Sequence, residues 1–343
     1  MAARRMKYGL VFRTQYPAGT DMRQGLAEQL EQVRTASRLG YDSIMRGQHY
    51  AGWPVQELQT IPFLARAIPE AGSMRIISGI ILLPLHKPLD LAEQLSTLDT
   101  ICDGRLIAGF GLGYREVEYL GFGISQSERV ARFEENLAAL KRLWTEDHVT
   151  MKGSHFELKD TTLSLKPVQK PHPPIWIGAN ADAAIERAAR LGDAWLINMH
   201  QTMATIGRQV ELYRRTLDGL GKPFPAELPL AREVFVAGSR EEAMRVIRPS
   251  LEEKYRVYTI WGQDKAMAKG DNDLSLDFEA LTRDRFLLGS PDEVAESIAG
   301  YYRRFGANHM LLTFQGVGTP HSATLESITR FAEEVMPRVE QAI

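Results

Sequence analysis

The chain has a single cysteine, Cys102, which excludes an internal disulfide. Set at the apolar end of a helix-spaced segment, it reads as a buried structural thiol rather than a nucleophile. Long apolar runs are missing too: the longest uncharged one, Ile76–Leu85, falls well short of the ~20 residues that span a bilayer. The basic start Met1–Lys7 leads into an apolar patch that Arg13 cuts short, so neither a membrane span nor a secretory leader is expected. No charge of one sign dominates. The 41 Lys and Arg against 43 Asp and Glu leave a formal net charge of −2, evenly spread, which gives no footprint for nucleic acid or an anionic membrane. A soluble, cytoplasmic protein is expected. No Ser/Gly-rich linker interrupts the 343 residues, 44% of them hydrophobic, so residues 1–343 read as one domain with a large core.

What is present is a joint used four times, a helix ending in glycine and passing at once into a short apolar strand. Gly40 precedes Tyr41–Met45, Gly104 precedes Arg105–Ala108, Gly192 precedes Asp193–Ile197, and Gly306 precedes Ala307–Leu312. Glycine just past a helix end supplies a left-handed cap, and the apolar run suits a strand covered on both faces. The runs Lys7–Phe12, Arg75–Leu83, Ile175–Gly178 and Arg232–Ala237 bring the strands to eight. Helical spacing fills the gaps, as at Leu26, Leu30 and Val33, at Leu91, Leu95 and Leu98, and at Phe133, Leu137 and Leu140. Eight alternating units predict the α/β class and a closed (β/α)8 TIM barrel. Two stretches exceed the minimal barrel. Residues 147–174 read as a hairpin with a proline-rich lead into the fifth strand, and residues 250–285, with Trp261-Gly-Gln and Lys269-Gly-Asp-Asn-Asp, as a lid or a surface excursion.

In such a barrel the chemistry lies just after the strands, and several usual groups are missing there. No His-x-His follows the first strand, which ends in Arg13-Thr-Gln-Tyr16, against a metal-dependent hydrolase. No lysine stands free at a strand end for a Schiff base. Glu116 and Glu118 share one loop without an opposite carboxylate, against a glycosidase. A bound cofactor that carries the reactivity fits better. His49, after the second strand beside Gln48, Tyr50 and Trp53, is the candidate for proton work; His86, His200 and His309 read as structural. The fourth strand runs into Gly109-Phe-Gly-Leu-Gly113, where absent side chains would let a flat ligand lie on bare backbone, with Arg115 and Arg129 near; the same glycines also suit an ordinary tight loop. A dinucleotide turn is rejected because Glu116 stands where its third glycine should be and the next helical period begins only near Arg129. Asn180 reads as the N-cap of a helix whose start would suit a phosphate, although Asp182 already complements the dipole.

Taken with Ile81-Leu-Leu-Pro-Leu-His-Lys-Pro88, Asp103-Gly-Arg-Leu-Ile-Ala-Gly-Phe-Gly-Leu-Gly113, Glu118-Tyr-Leu-Gly-Phe-Gly123 and Pro174-Ile-Trp-Ile-Gly-Ala-Asn180, the chain resembles the luciferase-like monooxygenase family over nearly its whole length. The resemblance implies a barrel that binds reduced FMN, supplied by a separate flavin reductase, and uses O2 to oxygenate a small organic substrate. It implies His49 at the reactive edge of the flavin, a non-proline cis peptide at Gly79–Ile80 under the ring, Gly111 and Gly113 beside it, Arg129 with the backbone of Asn180 and Ala181 on the phosphate, and Gly178 also among the cofactor-binding residues. Tyr16, Tyr50, Trp53 and Tyr114 would line the substrate pocket. A homodimer and no metal are also implied. Tyr50 departs from the second histidine of some members. Trp53 is spaced from His49 as in relatives that use the deazaflavin F420, but Tyr114 stands where those often have glutamate. An F420-dependent hydride transfer and a flavin-binding protein without turnover are the alternatives.

Overall fold

The computed structural model describes residues 6–12, 15–268, 270–274 and 277–343; Arg13, Thr14 and Lys269, named above, lie outside them. Eight parallel strands close a barrel: β1 Lys7–Phe12, β2 Ser43–Arg46, β3 Arg75–Leu82, β4 Leu106–Gly111, β5 Ile175–Ala179, β6 Ala194–Ile197, β7 Pro229–Val236 and β8 His309–Thr313. Each pairs with the next, and β8 returns to β1. The seam between β6 and β7 is thin, with Ile197 opposite Leu230 as the one registered pair. β7 stays paired with β8 as far as Glu233, and its Glu233–Val236 half pairs with a further strand, Phe286–Gly289, that the sequence reading does not separate. Among the described residues no helix is long and apolar enough to cross a membrane.

Helices α1 Met22–Arg38, α2 Thr60–Ala67, α3 Pro88–Ile101, α4 Arg129–Thr145, α5 Asp182–Leu191 and α6 Met203–Gly219 follow the first six strands. Their apolar stripes, for example Leu91, Leu95 and Leu98 of α3, are buried against the outer faces of the strands. Further on come α7 Arg240–Ile260, α8 Pro291–Phe305 and α9 His321–Arg330. Three of the four glycine joints are left-handed as read, with φ of +80° at Gly40, +69° at Gly104 and +72° at Gly306. Gly192 is different. Its backbone is extended, and a Cβ there would meet the Ala188 carbonyl at 3.1 Å and the Ile177 side chain at 3.2 Å, so close packing, not handedness, favours glycine.

Both long stretches are ordered into elements. Residues 147–174 hold the hairpin Val149–Lys152 and Glu157–Thr161. Residues 250–285 are not a polar excursion, because α7 runs unbroken through Pro249 to Ile260. The reason is burial at helical spacing: Leu251, Tyr255 and Tyr258 pack with Trp261, Phe278 and Phe286 in a second apolar cluster.

Inside the barrel, Val11, Met45, Ile77, Ile107, Trp176 and Leu311 fill the lumen with others of their layer. Below them, at the amino ends of the strands, a charged cluster closes the barrel. Arg75 Nη2 lies 2.6 Å from Glu227 Oε2, Lys7 also bonds Glu227, and buried His309 approaches it at 3.4 Å. Burial pushes the Glu227 carboxyl up, but the contacts from His309, Arg75 and Lys7 outweigh it and hold the group well below the usual carboxylate range. A carboxyl depressed on folding stabilises above its unfolded value and loses that contribution as pH falls. Glu227→Gln is therefore expected to cost about 1–3 kcal/mol at pH 7, with the difference from wild type shrinking below pH ~4.3. Urea denaturation at several pH values measures it.

Candidate active site

Above the lumen, at the carboxyl ends of the strands, lies a cavity of about 630 Å³, within the ~300–1,000 Å³ of small-molecule sites. Its floor is the top layer of the barrel core, Met45 of β2, Leu196 of β6 and Ala231 of β7, joined by Gly79 and Ile80 of β3. The Gly79–Ile80 peptide is cis. It sits in a bulge where the β3–β4 register shifts between Ser78 and Ile81. The glycines around it explain how the bulge fits. A Cβ on Gly109 would lie 2.8 Å from the Ser78 carbonyl, one on Gly111 would lie 2.0 Å from Ile80 Cδ1, and one on Gly178 would lie 3.1 Å from Ile80 Cγ2.

Gly111 therefore does not line the cavity; its missing side chain makes room for Ile80, which does. Gly113, with φ +78°, does line it and needs the left-handed region that glycine enters freely.

His49 is held from three sides. Its Nδ1 is 3.0 Å from Glu118 Oε1, and its ring meets Trp261 at 5.1 Å and Tyr114 at 5.9 Å between centroids. Glu118 is fully buried. The same Oε1 accepts from the Tyr50 backbone N–H at 2.9 Å and lies 3.5 Å from Arg115 Nη1. A carboxylate can only accept, so Nδ1 carries the proton and Nε2 is the nitrogen left for the cavity. Arg115 also donates to the Tyr50 and Ala51 carbonyls at 2.7 and 3.0 Å, and its guanidinium lies 4.0 Å over the Trp261 ring. Behind His49, Gln59 donates to its carbonyl at 2.8 Å. Gln48 Oε1 accepts from the Leu82 N–H at 3.0 Å and from His86 Nε2 at 3.1 Å. Burial pushes the His86 imidazole down to about 4, against the opposing charge of Asp90. His86 therefore stays neutral and serves this bond.

As a partner of His49, Glu118 is not legible in the sequence, where it stands as half of a carboxylate pair and as the first residue of Glu118-Tyr-Leu-Gly-Phe-Gly123. Nor is the short helix Glu116–Gly121 that carries it. Its signal was an acid three residues after Arg115, the spacing at which the two meet on one helical face.

Beside the starts of α4 and α5 the cavity is lined by Arg129, Arg187 and Lys265, with Glu116 also in its lining. Arg187 is shared with Glu134 at 2.9 Å. Asn180 and Ala181 line the cavity too, but the N-cap of α5 is Ala181, without a side-chain bond. Asn180 Nδ2 instead donates to the Ala266 carbonyl at 3.2 Å, and Asp182 is committed to Arg208 at 2.7 and 2.9 Å. The first-turn N–H groups of α5 thus have no side-chain cap. Residues 260–267 cross the mouth: Trp261 Nε1 donates to the Trp53 carbonyl at 2.9 Å, and Ala266 is tied to Asn180.

Of the four aromatics read as substrate-facing, Tyr114 lines the cavity. Tyr16 does not: it is buried under α1, its hydroxyl on the Gly25 carbonyl at 3.0 Å. Tyr50 packs on Phe122 at 4.6 Å, and the Trp53 side chain is 76% exposed. In the loop after β2, Gly47, Gln48 and His49 line the cavity while Tyr50 and Trp53 turn away from it, a direction that residue type does not reveal.

A sequence model of the family described as luciferase-like monooxygenase matches residues 6–309. Among solved structures, monooxygenase RslO1 from Streptomyces bottropensis superposes with a TM-score of 0.87 at 27% identity, covering 97% of this chain and 99% of that one. The FMNH2-dependent dimethylsulfone monooxygenase of Pseudomonas putida is 27% identical over 339 residues, 93% of this chain and 85% of that protein. The F420-dependent glucose-6-phosphate dehydrogenase of Amycolatopsis mediterranei is 25% identical over 331 residues, 92% of this chain and 95% of that protein.

Glu118→Gln keeps the volume but takes the negative charge from Arg115 and His49. A loss of about 2–3 kcal/mol is expected in urea denaturation, against less than ~0.5 for Val117→Ala at the exposed neighbouring position.

Proposed function

The chain belongs to the luciferase-like monooxygenase family, an oxidoreductase family in which its relatives use FMN or F420, and on that premise we propose that it uses reduced FMN and dioxygen to oxygenate a small organic substrate. The observation that carries this reading is His49, oriented by a buried carboxylate in a cavity whose lining also holds cations. That donor set fits the group. Arg129, Arg187 and the first-turn N–H groups of α5, beside Asn180 and Ala181, would hold a phosphate. Gly79, Ile80 and Met45 would lie under the ring system, with Gly178 behind and Gly113 passing close. Bound there, the reduced flavin supplies the electrons that activate oxygen.

The chain's own work is positional. Nε2 of His49 would take or return a proton at the ring edge, while Glu118 stabilises the charged imidazole that results. Residues 260–267 would keep bulk water out of the mouth. A separate reductase as the source of reduced flavin, and a homodimer, belong to the same proposal. Against F420 stand Tyr114 in place of the glutamate and the exposure of Trp53. The cationic part of the lining also suits a monophosphate better than the long, multiply charged tail of the deazaflavin.

Titration of the protein with FMN, with reduced FMN under nitrogen, and with F420 is expected to favour the flavin by about tenfold or more. His49→Ala should leave FMN affinity within about threefold of wild type but lower substrate oxidation coupled to oxygen uptake by roughly 10²–10⁴. Turnover with F420 in the absence of oxygen would overturn the reading.

A further inference from the structure

The cavity lining also holds acceptor groups, whose chemistry is the reverse of that of its cations. Tyr16–Pro17 and Val55–Gln56 form a small antiparallel ribbon with Tyr16 opposite Gln56. Continuing that register by one residue sets Gln15 opposite Glu57, on the same face. Both line the cavity. Gln15 is only 2% exposed, and Gln15 Oε1 and Glu57 Oε1 are buried with no hydrogen-bond partner among the described residues. Buried polar oxygens are ordinarily paired; both side chains line one cavity, so a donor brought in by what enters it, with a small rotation of either side chain, would complete them.

The charge of Glu57 has a counterpart already. Arg46 is fully buried behind it and feels its field, although its N–H groups go to Leu58, Phe12 and Gln29. A neutral donor therefore completes the site without leaving a net charge, whereas an ammonium would add one. The same cavity lining carries the apolar and aromatic side chains of Tyr114, Ile260, Trp261 and Met267.

Resting on the reading of this cavity as the oxygenation site, we infer that Gln15 and Glu57 form the substrate-recognition site, and that the substrate is an uncharged, largely apolar or aromatic compound bearing a hydroxyl that donates to them. A carboxylate accepts one O–H bond strongly and rejects an analogue that cannot donate, because its oxygen is then left desolvated and unpaired.

The test uses the full chain without flavin, so that it stands apart from the cofactor reading, with quenching of tryptophan fluorescence as the readout. The probes are 2-naphthol, its methyl ether, and 2-naphthylmethylammonium. Wild type is expected to bind the naphthol roughly tenfold more tightly than the ether and more tightly than the ammonium. Gln15→Leu and Glu57→Gln, each checked for folding by circular dichroism, should bring the naphthol and the ether within about threefold of each other. Equal binding of naphthol and ether by wild type, tighter binding of the ammonium, no binding of any probe up to millimolar concentration, or an unchanged preference in both variants would each overturn the inference. Loss of FMN binding in a parallel titration, with the naphthol preference intact, would instead count against the flavin reading alone.

Discussion

The mouth of this barrel is organised around one buried carboxylate. Glu118 receives the His49 imidazole, the Tyr50 N–H and the charge of Arg115, and through them joins the loop after β2 to the loop after β4. Arg115 extends the connection to Trp261, and Trp261 to the Trp53 carbonyl, so the segment across the mouth is tied to the same centre. A desolvated anion is costly unless its donors are fixed. These contacts join the three segments to one another. Pre-organisation of this kind lets a proton-transfer group act without first being collected from solvent.

The second constraint is the bulge at Gly79–Ile80. A bulge takes a residue out of register and pushes it toward the neighbouring strand, and here Gly109, Gly111 and Gly178 each lack a side chain where Ser78 or Ile80 approaches. Gly109 and Gly111 of β4 and Gly178 of β5 thus act through the bulge: they let Ile80 settle, and Ile80 lines the cavity. At the other end of the strands the Glu227 cluster closes the barrel, so the charged cluster and the cavity occupy opposite faces, the cavity at the face where this fold class carries its sites.

The barrel was legible in the chain because its signals are local. Gly40, Gly104 and Gly306 mark helix ends by the handedness they permit, and the apolar period needs only a few residues to read. The strand Phe286–Gly289 was not legible, being four residues long and defined only by its pairing with the outer half of β7. The continuation of α7 was hidden by Pro249, whose usual effect is to break a helix and which burial of Leu251, Tyr255 and Tyr258 overrides. At the site, position after a strand led to His49, Arg129, Asn180 and Ala181, which line the cavity. Tyr16, Tyr50 and Trp53 follow strands equally closely yet point elsewhere, because direction in a loop is set by contacts far away in sequence. Glu118 is the clearest case: it meets His49 across sixty-nine residues, and no local pattern records that.

With its Nδ1 on the Glu118 carboxylate, the His49 ring keeps Nε2 as its free acceptor. The nitrogen-15 chemical shifts of the His49 ring, recorded on histidine-labelled protein at a pH where the ring is neutral, report it directly. A protonated Nδ1 with a lone pair on Nε2 is predicted. A protonated Nε2, or the averaged shifts of a free imidazole, would contradict the account.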